Sequence, residues 1–124
     1  MREFLLILAG GISVFGLFIH MIRGRRLIVK PLLDAQIHAV PKATLEFSWN
    51  WGSVTMVVLS LGYLAPLWRA DFLPLAMLAT VYGYWLGALS FIAMRRGGFR
   101  VAQMPQWIAF WAASLCGLLA WGVL

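Results

Sequence analysis

The charges of this chain fall in clusters, and the gaps between the clusters constrain its fold more than any motif does. Four stretches, residues 4–22, 47–68, 72–94 and 101–124, contain no Asp, Glu, Lys or Arg. They are 19, 22, 23 and 24 residues long, so all 14 charged side chains are confined to the other 36 positions. A helix needs about 20 predominantly apolar residues to cross roughly 30 Å of hydrocarbon. The pattern therefore predicts an all-α integral membrane protein, with four transmembrane helices in an antiparallel bundle. The expected single transmembrane domain covers residues 1–124, with helices at about 4–22, 45–67, 72–94 and 104–123. Composition agrees: 11% of the residues are charged, against about 25% in ordinary soluble domains.

A cleaved signal peptide is the competing reading of the first stretch. Its 19 residues exceed the roughly 7–15 of an h-region, and no clear A-x-A-like cleavage site follows, so it reads as a retained helix one. The single cysteine, Cys116, lies in the last apolar run and excludes an internal disulfide. With no cation near it in sequence to stabilise a thiolate, it reads as a small buried residue.

The formal charge of +6 could point to nucleic acid, but the basic residues flank the apolar stretches, where topology and lipid headgroups explain them better. Arg23, Arg25, Arg26, Lys30 and Lys42 lie in the first loop, and Arg95, Arg96 and Arg100 in the third. The other two, Arg2 and Arg69, lie on the opposite side. The positive-inside rule places the first and third loops in the cytoplasm and both termini outside, which in a bacterium is the periplasmic side of the inner membrane. Trp49, Trp51, Trp68, Trp107 and Trp121 sit at helix ends, as an interfacial belt requires, whereas Trp85 and Trp111 fall deeper.

The long basic loop, residues 23–43, contains Pro31 and Pro41 bracketing a partly apolar segment. It reads as a cytoplasmic loop carrying a short interfacial helix over about 31–40, with Arg23, Arg25, Arg26 and Lys30 facing anionic lipid headgroups. A solvated loop with no particular ligand is the equal alternative. In the apolar stretches, Ala79, Gly83 and Gly87 on helix three, and Ala109, Ala113 and Gly117 on helix four, recur at intervals of four. Such stripes let backbones approach closely, so helices three and four are expected to pack along them, or to present them to a second copy or another membrane subunit.

Ionisable groups in a span are costly and mark candidate sites. His20 lies two residues from the end of helix one, Glu46 near the start of helix two, and Asn50 one turn deeper on the same face. Should that face meet helix one, the three would form a polar cluster: either a proton-linked or ligand site, or, more simply, a hydrogen-bonded clasp near the interface. Bis-histidine haem ligation needs a second imidazole in a span, and only His20 is in one, His38 being in the basic loop. Ligands of suitable type and spacing for zinc, a phosphate loop, a nucleophile elbow and paired buried carboxylates are all missing from the sequence. No catalytic residues, metal or cofactor are expected.

Gly16-Leu17-Phe18-Ile19-His20, the basic turn after it, Pro31-Leu32-Leu33, and Leu45-Glu46-Phe47-Ser48-Trp49-Asn50 together resemble a group of small four-helix bacterial inner-membrane proteins. That group has a G-x-x-H-like motif in helix one and a Trp-His pair in helix two. Here the Gly-to-His spacing is one residue longer, and Asn50 stands in place of the second His. The resemblance covers about half the chain and implies topology and bacterial origin more than activity. The expected role is that of a non-enzymatic accessory or scaffolding subunit associating with a larger membrane complex. The alternatives are a small dimeric transporter, in which Glu46 would carry the coupling carboxylate, or a protein binding lipid, quinone or haem at the His20 layer.

Overall fold

The computed structural model describes residues 1–122 and is all-helical over them, without strands. Helix α1 (Arg2–Ile19) passes without a break into a π-helical segment (His20–Val29) and a short α2 (Lys30–Asp34). Helix α3 (Ala39–Leu64) ends in a 3-10 turn (Ala65–Leu67), and a second 3-10 turn (Ala70–Phe72) leads into α4 (Leu73–Arg96). Helix α5 covers Gln106–Gly122. Residue 123, the last of the expected fourth helix, lies outside the described residues.

Two helical bodies, Arg2–Asp34 with 33 residues and Ala70–Arg96 with 27, are long and apolar enough to cross a membrane by length and composition. In α3 the apolar run is diluted by Ser48, Trp49, Asn50, Trp51 and Ser53. Helix α5 is apolar but has 17 described residues.

The first helix departs most from expectation. The basic stretch is not a loop: the helix continues through Arg23, Arg25, Arg26 and Lys30, and the connection to α3 shrinks to residues 35–38. Arg, Lys and Leu are good helix formers, so nothing local stops the helix where the apolar stretch stops. Pro31 is tolerated near the start of α2. No separate helix covers the expected 31–40: residues 31–34 complete the first helical body, and Pro41 does not end a helix but lies in the first turn of α3, where its missing N–H costs nothing. The Lys42 ammonium donates to the Leu33 carbonyl at 2.7 Å, closing the end of the first helix from the start of the next. At the far end of α4, Gly98 takes a φ of 67°, the left-handed conformation that ends a helix cheaply only at glycine.

The four helical bodies form a ring in which α1 packs against α3 and α5, and α4 packs against α3 and α5. Neighbours run antiparallel. Along α1, Gly10 faces Leu64, Gly16 faces Met56 and Gly24 faces Trp49; along α4, Gly83 faces Ser114 and Gly87 faces Trp111. The centre is built from Leu6, Ala9, Leu59, Tyr63, Ala76, Ala79, Ala113 and Ala120, so small residues dominate it. Hydroxyls in the apolar helices are largely spent locally: Ser13, Ser53, Ser60 and Thr80 each donate to the carbonyl four residues earlier.

Candidate functional site

Of the three residues expected to cluster, the fold uses His20 in an unexpected way. Its imidazole stacks on the Trp49 indole, with ring centroids 3.8 Å apart and planes 9° from parallel. The same indole lies over Gly24, whose missing side chain opens the notch it fills: a Cβ there would stand 2.9 Å from Trp49 Cζ2. Gly52, one turn along α3, faces the other edge of the ring, with its Cβ position 3.9 Å from His20 Nε2. That nitrogen is buried and has no hydrogen-bond partner. Neither Glu46 nor Asn50 bonds to His20; Glu46 is half-buried and Asn50 is exposed. The expected clasp is therefore replaced by an aromatic stack. On α3 the residue between the two polar candidates, Trp49, is the one turned toward α1. Gly24, four residues after His20 and hence on its face, was the available signal for this.

The stack marks the place where the first helix changes pitch. From His20 onward its turns widen to the π form, and at the end of the segment the Lys30 N–H bonds the Arg25 carbonyl five residues back. Arg23, Arg25 and Arg26 on this segment, and Lys30 directly after it, are all exposed. None is in an ion pair: among the described residues the pair within reach is Arg69 with Asp71, at 3.0 Å and on the opposite end of the bundle.

A second polar group lies in the core. Tyr63 is 1% exposed, and its hydroxyl and that of Ser114 are buried without hydrogen-bond partners. They meet over Gly83, where a Cβ would stand 2.8 Å from Ser114 Oγ and 3.5 Å from Tyr63 Oη. Gly117 makes the matching room for Thr80 and for Tyr63, with its Cβ position 2.9 Å from Tyr63 Cε1. Across the α4–α5 seam the stripe glycines thus meet larger side chains, while Ala79 packs instead on Gly62 of α3, whose Cβ position is 3.0 Å from the Ala79 Cβ. Ala79, Gly83, Gly87, Ala113 and Gly117 are buried, but Gly87 receives the Trp111 indole and the other two glycines receive hydroxyl-bearing side chains. Ala109 is off this seam and lines an apolar groove between α1 and α5 with Gly11, Ile12 and Phe15. Trp111, expected to lie deep, is held by its N–H, which donates to the Tyr84 carbonyl at 3.2 Å.

Among the described residues, no group of three or more His, Cys, Asp or Glu gathers closely enough to hold a metal ion. The arrangement offers one half-buried imidazole against an indole, a cluster of core hydroxyls, and an unneutralised basic helix face. In comparisons with protein-family models, curated proteins and solved structures, nothing matches this chain.

Proposed function

We propose that the protein is a four-span integral membrane protein whose basic end faces the cytoplasm, and that it acts without catalysis, as an accessory subunit held to a larger membrane complex by helix packing. One observation carries the membrane reading: side-chain size is inverted relative to a water-soluble bundle. Large apolar residues face outward along every long helix, with Phe15 67%, Val58 61%, Leu78 66% and Leu118 60% exposed, while the interior is mostly alanine and glycine. In water such a surface would be far beyond the few hundred Å² of contiguous apolar patch typical of monomers. In lipid it is at no disadvantage, and small residues inside let the helices close up.

In this reading α3 and α5 span as well. The charge-free residues 47–64 of α3 and all of α5 lie alongside the two longer helices. The ten basic and four acidic residues then leave the cytoplasmic end strongly positive and both termini outside, in the inner membrane of a bacterium. The subunit role rests on how little of the chain lies beyond the helices, since the connections offer no surface of their own for a soluble partner or substrate.

Purification of the tagged protein from its own membranes in mild detergent tests this. Resistance to alkaline carbonate extraction, with companion subunits at fixed stoichiometry, is the expected result. Release into the carbonate supernatant would overturn the membrane reading. Recovery as a lone monomer in mild detergent would overturn the subunit reading and leave the membrane one standing.

A further inference from the structure

The π-helical pitch of His20–Val29 sorts the basic residues into two sets. In an α-helix, residues five apart lie about 140° apart around the axis; with i to i+5 hydrogen bonds that angle narrows and they come onto one face. Gly24 and Val29 accordingly share the inward row, Gly24 under Trp49 and Val29 only 4% exposed. Arg25 and Lys30 stack on one flank of that row, joined by the backbone bond from Lys30 to Arg25, with Arg26 beside them. Arg23 falls on the other flank, stacked with Ile28, which is 55% exposed. Three cations are thus gathered within one turn of a rare helix geometry, the kind that recurs at functional sites. Asp34 and Glu46, the acids nearest in sequence, form ion pairs with none of them.

We propose that Arg25, Arg26 and Lys30 form a discrete site for the phosphate of an anionic phospholipid, distinct from diffuse attraction by the whole basic end. The inference rests on the membrane reading above. Charge complementarity selects an anion, and position selects a lipid, because the segment begins where the charge-free residues 4–22 end, at headgroup level. Ile22 and Leu27, 59% and 62% exposed, form the adjacent apolar row along which an acyl chain would run. Mutual repulsion of the three cations is relieved when the phosphate is seated, and guanidinium pairs suit its oxygens.

The test uses the full chain in detergent, with lipid binding read by native mass spectrometry. Wild type and variants are titrated with phosphatidylglycerol or phosphatidylcholine, with and without inorganic phosphate. Wild type is expected to retain one phosphatidylglycerol in preference to phosphatidylcholine. Replacing Arg25, Arg26 and Lys30 by Gln weakens this on the order of 100-fold, taking about fivefold per cation. Arg23→Gln and the pair Arg95→Gln/Arg96→Gln change it less than about threefold, because those residues lie off the site. Equal losses in all variants, or no headgroup preference, would overturn the site. Displacement by inorganic phosphate would name a free anion as the occupant and overturn the lipid. The targeted side chains are exposed, and Lys30→Gln alone reports the same site with least disturbance. Carbonate extraction of the same membranes separates the two readings: protein in the pellet without a lipid preference removes this site only, and protein in the supernatant removes the membrane reading itself.

Discussion

His20 shows how a polar residue at the end of an apolar run is placed by shape as much as by hydrogen bonding. Its ring is flattened against Trp49, and Trp49 is in turn seated on Gly24, so imidazole, indole and glycine form one contact between the first helix and α3. Stacked aromatic pairs are worth about 0.5–1.5 kcal/mol beyond burial. A double-mutant cycle of His20→Ala and Trp49→Ala, followed by reversible unfolding in detergent, should return a coupling of about 1 kcal/mol. Additive losses would show that the rings touch without stabilising one another. In the sequence, His20 was legible as special but its partner was not. Polar pairing pointed to Glu46 and Asn50, whereas the helix turns the apolar residue between them inward. Only the Gly24 notch could have signalled this, and glycine in a basic stretch reads first as a turn.

At the scale of elements, charge-free length came close to α4: Asp71 and Arg95 bracket residues 72–94, the helix covers Leu73–Arg96, and Pro74 lies in its first turn. The same criterion misplaced the end of the first helix, because it detects where charged residues begin and not where the chain stops being helical. The π pitch was not legible at all, since no residue propensity encodes it. The seam between α4 and α5 was half legible. Its small residues were visible in the sequence, but not that Trp111, Ser114 and Thr80 would fill the space they leave. Because Gly87 accommodates the Trp111 indole, with a Cβ position only 2.5 Å from its Nε1, Gly87→Leu should destabilise the protein by about 1–3 kcal/mol through overpacking. Gly122→Leu, where a side chain would meet nothing within 4 Å, is the control. Equal melting temperatures for the two variants would show that Trp111 swings aside without loss.

For the whole molecule, the proposed membrane reading makes orientation a matter of how charge is distributed. Eight Lys and Arg flank one end of the proposed bundle and two the other, an asymmetry large enough for the positive-inside rule to act on as long as the connections are short, and they are. In a Cys116→Ser background, Ala70→Cys should react with a membrane-impermeant maleimide in intact cells, and Ala102→Cys only after the membrane is opened; both positions are exposed. The basic π segment, with Lys30 directly after it, supplies half of the eight. Neutralising Arg23, Arg25, Arg26 and Lys30 leaves four against two, so the labelling pattern should become mixed, with Ala102→Cys partly reactive from outside. Such a shift would mean that these residues set topology during insertion as well as meeting lipid afterwards. An unchanged pattern would place the orienting signal in the remaining Lys42, Arg95, Arg96 and Arg100 and leave the π segment without a part in orientation.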